Sequence, residues 1–224
     1  LVIRWENVDS LEDYFITYLL YLDSLTVPQI SRIRNKSIEE INDDLIKAKM
    51  YIRLENKKSD NKEDILTNYL SMSKDERLLY MSDLSDDKLE SFKRLIYRGI
   101  LKINNIDDLM ILVWTAGEFR DDRFLNIIYP FIDKPHSNIR RISYSAIGKI
   151  ANKESIQYLE MGLSDSNPQI RQYCAKYLGI IGNRNSIRIL ENFVKNKSNF
   201  EKEYVLKACR DSICNLYSKF NINK

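Results

Sequence analysis

The sequence predicts an all-α protein whose C-terminal half is a solenoid of stacked helix pairs, and three observations carry that prediction. The stretch NPQIRQYCAKYLGIIGNRNSIRILENFV, residues 167–194, restates HSNIRRISYSAIGKIANKESIQYLEMGL, residues 136–163, at a period of 31 residues. A glycine recurs at that period, at Gly117, Gly148 and Gly179. Glycine and proline are scarce, 6 and 4 in all, while charged residues make up 30% of the chain, a balance that suits an extended helical stack in water. One helix pair cannot bury its own apolar stripe, so copies at a fixed period must pile on one another.

The N-terminal part, residues 1–55, divides into three helical pieces. The first is expected from about Ser10 to Leu22. Thr26 caps a short second helix, VPQISRI, RNK makes a turn, and SIEE is a capping box that opens a third helix at Ser37, with Glu40 reaching back to the Ser37 amide. A short helix, a tight turn and a longer helix form a helix-turn-helix layout. TYLLYLDSLTVPQISRIRNKSIEEINDDLIKAK resembles the helix-turn-helix modules appended to some bacterial helicases and regulators, and that resemblance implies DNA binding. The charges oppose it: a recognition helix meets DNA through its N-terminal residues, which here include Glu39, Glu40, Asp43 and Asp44, with the first lysine only at Lys47. Ser31 also stands where that family commonly has a small alanine. The module is therefore expected to be a packing or protein-contact cap, with Arg32, Arg34 and Lys36 keeping the DNA-reading alternative open.

Residues 56–105 are expected to be a helical bridge. ENKKSDNKED, polar and charged over its length, has the composition of a linker. DILTNYLSM, SKDERLLYMSDL and SDDKLESFKRLIYRGI then follow as helices, with Ser73 and Ser85 as caps.

Residues 106–224 hold about three and a half repeats. The two copies align Ile139 with Ile170, Arg140 with Arg171, Asn152 with Asn183, Ser155 with Ser186, Ile156 with Ile187, Leu159 with Leu190 and Glu160 with Glu191. Counting back from Gly148 reaches Gly117 in LVWTAGEFRDDRFLNIIYPFI, where Leu125 and Ile128 take the second-helix positions. EKEYVLKACRDSICNLYSKF reuses the first helix alone. Within a unit, apolar residues at 139, 142, 146, 147 and 150 trace one helical stripe. The glycine near its end allows close packing or a left-handed cap. Ser155 and Ser186 are expected to cap the second helix, and Pro168 sits near a helix start, where a missing N–H costs little.

This pattern closely resembles HEAT repeats of the short kind found in bacterial HEAT proteins and phycobilisome-lyase-like proteins. The resemblance covers residues 106 to 220 and implies a right-handed α-α superhelix. It implies that Arg140 and Arg171 are structural ladder residues, paired with Asp133 or Asp165, and that the second helices line a concave binding face. The second-helix positions outside the inward stripe are Asn126, Tyr129, Gln157, Glu160, Arg184, Arg188 and Glu191. They are chemically mixed, which suits a protein or peptide better than a uniform phosphate track. IDDLMILVWTAGEF is apolar almost all round, so the N-terminal segment is expected to lie over it and cover Trp114.

Cys174, Cys209 and Cys214 have no metal-ligand spacing, and His136 is the sole histidine. Reduced, packed thiols follow, with no metal and no cofactor expected. The net charge of +3 conceals an asymmetry: residues 1–132 carry 19 Lys and Arg against 24 Asp and Glu, and residues 133–224 carry 16 against 8. The basic half favours anionic surfaces, or is simply a lysine-rich solvated face. No run approaches the roughly 20 apolar residues of a membrane helix, and LVIRWENVDS lacks a signal-peptide layout, so a cytoplasmic location is expected. The abundance of Ile, Asn and Lys hints at a low-GC genome.

No phosphate loop, nucleophile elbow or metal-binding helix motif occurs. The expected function is a non-catalytic, bacterial adaptor or scaffold that presents its second-helix face to a protein partner. The alternatives are a nucleic-acid-binding regulator or repair factor, and a relative of the HEAT-type phycobilin lyases or alkylpurine DNA glycosylases. The nucleic-acid alternative gains if Lys153, Arg184, Arg188 and Lys195 gather without intervening acids.

Overall fold

The structure is a computed structural model that describes residues 3–58 and 65–221. Among the described residues the regular elements are helices alone. They are α1 (Asp13–Leu22), α2 (Val27–Arg34), α3 (Ile38–Lys58), α4 (Ile65–Ser71), α5 (Lys74–Ser82), α6 (Asp86–Lys102), α7 (Ile106–Phe119), α8 (Leu125–Ile128), α9 (Ser137–Ile150), α10 (Ile156–Gly162), α11 (Pro168–Ile181), α12 (Arg184–Lys197) and α13 (Glu203–Phe220), with short 3-10 turns before α1 and around α8 and α10. The chain divides into two compact units, one of Leu1–Leu95 with Asn104–Asp108, the other of Ile96–Ile103 with Leu109–Lys224.

In the first unit α1, α2 and α3 close around Phe15, Tyr18, Tyr21, Ile30, Ile41, Leu45 and Ala48. Ile106 packs against the same cluster. The local chemistry behind these helices is explicit. Ser37 Oγ accepts from the Glu40 amide at 3.1 Å while Glu40 Oε2 accepts from the Ser37 amide at 2.7 Å. At α2, Gln29 Oε1 takes both the amide and the hydroxyl of Thr26, at 2.9 and 2.7 Å. Asn35 ends α2 in the left-handed region, φ 50°, a conformation asparagine tolerates well. The third helix runs further than its polar composition suggests, to Lys58, so the expected linker begins inside a helix and its residues 59–64 lie outside the described residues. A second cluster of this unit stacks Tyr69 edge-on against Phe92, with ring centroids 4.8 Å apart. Buried Arg77 donates to the last carbonyls of α4, Tyr69 O at 3.2 Å and Leu70 O at 3.0 Å, and so satisfies groups that a helix end leaves open.

The second unit has a HEAT-like arrangement of helix pairs. The first helices are α7, α9 and α11, followed by α13; the second helices are the segment around α8, then α10 and α12. Helix α11 packs on α9, α10 and α13. The second helix of the first pair is broken into α8 and the 3-10 turn Tyr129–Asp133. Pro130 explains the break, since it removes a backbone donor and crowds the preceding turn.

The recurring glycines serve close approach. A Cβ on Gly148 would fall 2.0 Å from the Tyr177 ring, one on Gly117 would fall 2.7 Å from Ala146 Cα, and one on Gly179 would meet Ser212. No described glycine has positive φ; the left-handed positions one period apart are Arg120, φ 52°, and Ala151, φ 60°. The expected caps also move. Asn152 and Asn183 cap the second helices, accepting from the amides of Glu154 and Asn185 at 2.8 Å, while Ser155 and Ser186 are wholly buried.

Candidate functional site

The two ladder arginines are wired alike. Arg140 grips both oxygens of Asp165, Nε to Oδ2 at 2.8 Å and Nη2 to Oδ1 at 3.0 Å, while Nη1 donates to the carbonyls of Lys134 and Pro135. Arg171 grips both oxygens of Glu201 at 2.7 Å and donates from Nη1 to the carbonyls of Asp165 and Ser166, the positions one period after 134 and 135. Each guanidinium therefore fixes the loop before its own helix and reaches the loop before the next first helix. The Arg140 fork takes Asp165, not the exposed Asp133, and Arg171 meets Asp165 only through its backbone. Burial pushes the Asp165 carboxyl upward, but Arg140 and the Asn167 amide outweigh it and hold the group below its ordinary value. Glu201 behaves likewise: burial raises it, and Arg171 with the Lys202 amide brings it below.

A second ladder runs along the second helices, and it was not foreseen. Tyr129 Oη lies 2.9 Å from Ser155 Oγ. One period on, Ser186 Oγ donates to Glu160 Oε1 at 2.7 Å. Beyond them, Tyr217 Oη of α13, a first helix that the longer loop sets off the 31-residue register, donates to Glu191. Each pair is 26 residues apart, so every rung ties one repeat to the next. Residues 125–208 match the HEAT repeats family model. That match supports a HEAT-repeat protein, and HEAT repeats are in general protein-interaction scaffolds. No curated protein matches the chain.

The rungs divide the candidate residues of the HEAT repeats into two sets. Tyr129, Glu160 and Glu191 are committed to holding neighbours together, and Tyr129 further stacks on Tyr158 with centroids 3.8 Å apart. Asn126, Gln157 and Arg188, themselves one period apart, are all exposed. So are Lys153 and Arg184, an equivalent pair; the Arg184 guanidinium lies 5.5 Å from the Phe220 ring centroid. Along α12, Arg184, Arg188, Glu191 and Lys195 follow at helical spacing, which puts an acid between the cations on one face. The exposed rows also change charge along the stack: Asp122, Lys153, Arg184 in one and Asn126, Gln157, Arg188 in the other.

The remaining candidates are placed as follows. In the first unit, Arg34 pairs with Asp13, and Lys36 bridges Asp13 and Asp44. Asp44, one of the carboxylates counted against DNA reading, is buried and accepts from Thr17 Oγ1 at 2.9 Å. Arg32 is exposed. In the second unit Trp114 is half-buried, with Lys149 Nζ 5.7 Å from its ring centroid and paired to Glu118. Cys174 and Cys209 are packed, and burial pushes the first thiol well up and the second to about 12, whereas Cys214 is exposed rather than packed. Among the described residues no group of His, Cys, Asp or Glu could hold a metal ion, and no helix is long and apolar enough to cross a membrane.

Proposed function

We propose that the chain is a non-catalytic scaffold that binds an extended protein segment along the exposed second-helix rows of its HEAT repeats. The observation that supports this most is the separation of tasks: one row carries inter-repeat hydrogen bonds, and the rows beside it, Asn126, Gln157, Arg188 and Lys153, Arg184, stay exposed at the repeat period. Periodic donors and acceptors one repeat apart suit a partner read in steps along its length. The cations concentrate toward α12, so the bound segment carries its acidic residues at the end that meets Arg184 and Arg188. Glu191, set among those cations, disfavours a continuous phosphate track. The helix-turn-helix-like layout of α1 to α3 fits a packing or protein-contact role, since Arg34 and Lys36 are engaged by carboxylates of their own unit.

A peptide-display selection on the immobilised full chain tests the reading. Enriched peptides should be acidic toward one end, and Arg188→Glu or Gln157→Lys should weaken them by at least about tenfold, the scale of a hot-spot loss. Binding indifferent to both changes would overturn it. Retention on DNA that falls steeply with salt, and disappears in Arg188→Glu, would put the nucleic-acid alternative in its place.

A further inference from the structure

The outer face of α3 carries an ordered apolar stripe. Ile46, Met50 and Leu54 succeed one another at four-residue steps and stay 55%, 57% and 55% exposed. Three long apolar side chains left in water in one line are uncommon on a monomer surface and mark an interaction site. The opposite face, Ile41, Leu45 and Ala48, is in the core, so the stripe is not spare core surface.

The charges on that face are arranged by position. At 3.6 residues per turn, Glu39 and Asp43 lie on the stripe's N-terminal side, Arg53 on its C-terminal side, and Lys47 beside its middle on the outer flank, all exposed. Asp44 and Glu40 point elsewhere, the first to Thr17 and Lys36, the second to the Ser37 amide. Position 48 is the midpoint of two pairs: Asp43 precedes it by five residues and Arg53 follows it by five, while Ile46 and Met50 lie two to either side; Leu54 continues the stripe beyond them, at the height of Asn42 of a second copy. A two-fold axis through that point, perpendicular to the helix, brings Ile46 onto Met50 of a second copy and Asp43 onto Arg53 of a second copy, twice over. The flanking Lys49 is neutralised within its own unit by Asp107, 3.1 Å away.

We propose that α3 is the contact of a symmetric dimer in which the helix lies antiparallel to α3 of a second copy of this chain. The pairing is self-complementary in shape and in sign, which is what an isologous interface requires. An arbitrary acidic or basic partner would match only one half of the face. A single helix pair buries less than the roughly 1,200 Å² of standard interfaces, so the association is weak.

Sedimentation equilibrium of the full chain from about 10 µM to 1 mM, a range that reaches the concentrations weak association needs, tests this. Wild type should fit a monomer–dimer equilibrium, and Met50→Glu should raise the dissociation constant at least about tenfold. Asp43→Lys and Arg53→Glu should each weaken self-association about five- to tenfold, because each sets like charges against each other twice. Mixed together, the two single variants should associate as tightly as wild type, since both cross-contacts are then again of opposite sign. Thermal melts of each variant establish that it is folded. A chain monomeric at 1 mM, a dimer unaffected by Met50→Glu, or a mixture no tighter than either variant alone would each overturn the proposal.

Discussion

The two units solve the same problem, tying helices together through buried polar groups, in opposite ways. The second unit uses one solution repeatedly: Arg140 with Asp165 and Arg171 with Glu201 on one side, and the 26-residue rungs from Tyr129 to Ser155 and from Glu160 to Ser186 on the other. The first unit uses each tie once, as where Asp44 gathers Thr17 and Lys36, and Lys36 in turn reaches Asp13. A repeated tie is positioned by the period of the chain, whereas a unique one depends on a particular turn, here the Asn35–Ser37 corner between α2 and α3. Periodicity thus makes the second unit readable and tolerant, and singularity makes the first compact and opaque.

The largest break in this comparison is Arg171→Ala. The Glu201 side chain is 2% exposed, so losing its charged partner leaves a buried carboxylate with the Lys202 amide as its remaining hydrogen bond, at a cost of about 3 kcal/mol. The loss should appear as a lower denaturation midpoint and as faster amide exchange in α11 and α13, the helices adjoining the broken rung. pH sharpens the test. Asp165 and Glu201 are held below their ordinary values, so the stability they confer is complete above those values and declines as pH falls through the lower folded ones. Wild type should therefore lose stability steeply below about pH 4. Arg171→Ala, already without one of those interactions, should fall less steeply; an equal slope in both proteins would contradict the account.

Thr17→Val is the corresponding break in the first unit, and smaller. It removes a wholly buried donor to Asp44 but leaves the carboxylate paired with Lys36, 2.7 Å away. About 1–2 kcal/mol is expected, the cost of leaving one acceptor short of a hydrogen bond. Chemical denaturation measures it. Pairing Thr17→Val with Lys36→Met should cost more than the sum of the two single changes, because the second removes the last compensating charge. Additive losses would show that the three groups do not act together.

How much of this was legible follows from the same contrast. The helix pairs, the inward stripe and the arginines that hold the loops were readable because each occurs at least twice, and a coincidence at 31 residues is hard to produce otherwise. The acids that answer those arginines were only half readable. Asp165 lies in the repeat, but Glu201 lies after a longer loop that shifts it out of register. The serines at 155 and 186 are legible as a pair at helix starts, and the capping expectation holds only in part: Ser155 precedes α10 without a side-chain cap bond, and Ser186 Oγ accepts from the Asn183 amide at 3.2 Å in a capping box that Asn183 leads. The Asn-x-x-Ser spacing from Asn152 and Asn183 was the signal for the true arrangement, with the asparagine capping and the serine turned inward to the preceding repeat. Tyr129 and Glu160 read as surface because their partners lie 26 residues ahead, beyond any helical spacing, whereas Glu191 is exposed as its sequence position suggests and also accepts from Tyr217. The break at Pro130 could have been read from the proline alone. In the first unit, the inward turn of Asp44 carried no sequence mark, since a carboxylate on a capped helix normally faces water.

The smallest expected effect discriminates best between the two uses of glycine. Ala151 ends α9 with φ 60°, where its Cβ crowds the following carbonyl, and its amide still closes on Ile147 O at 3.1 Å. Ala151→Gly relieves that crowding while adding freedom to the unfolded chain, so the two effects nearly offset and a net gain of about 0.5 kcal/mol is expected. Thermal denaturation should show a rise of a few degrees or less. A fall would mean that the left-handed cap is not a point of backbone cost, and that this chain keeps its glycines at Gly117, Gly148 and Gly179 for close approach because its caps do not need them.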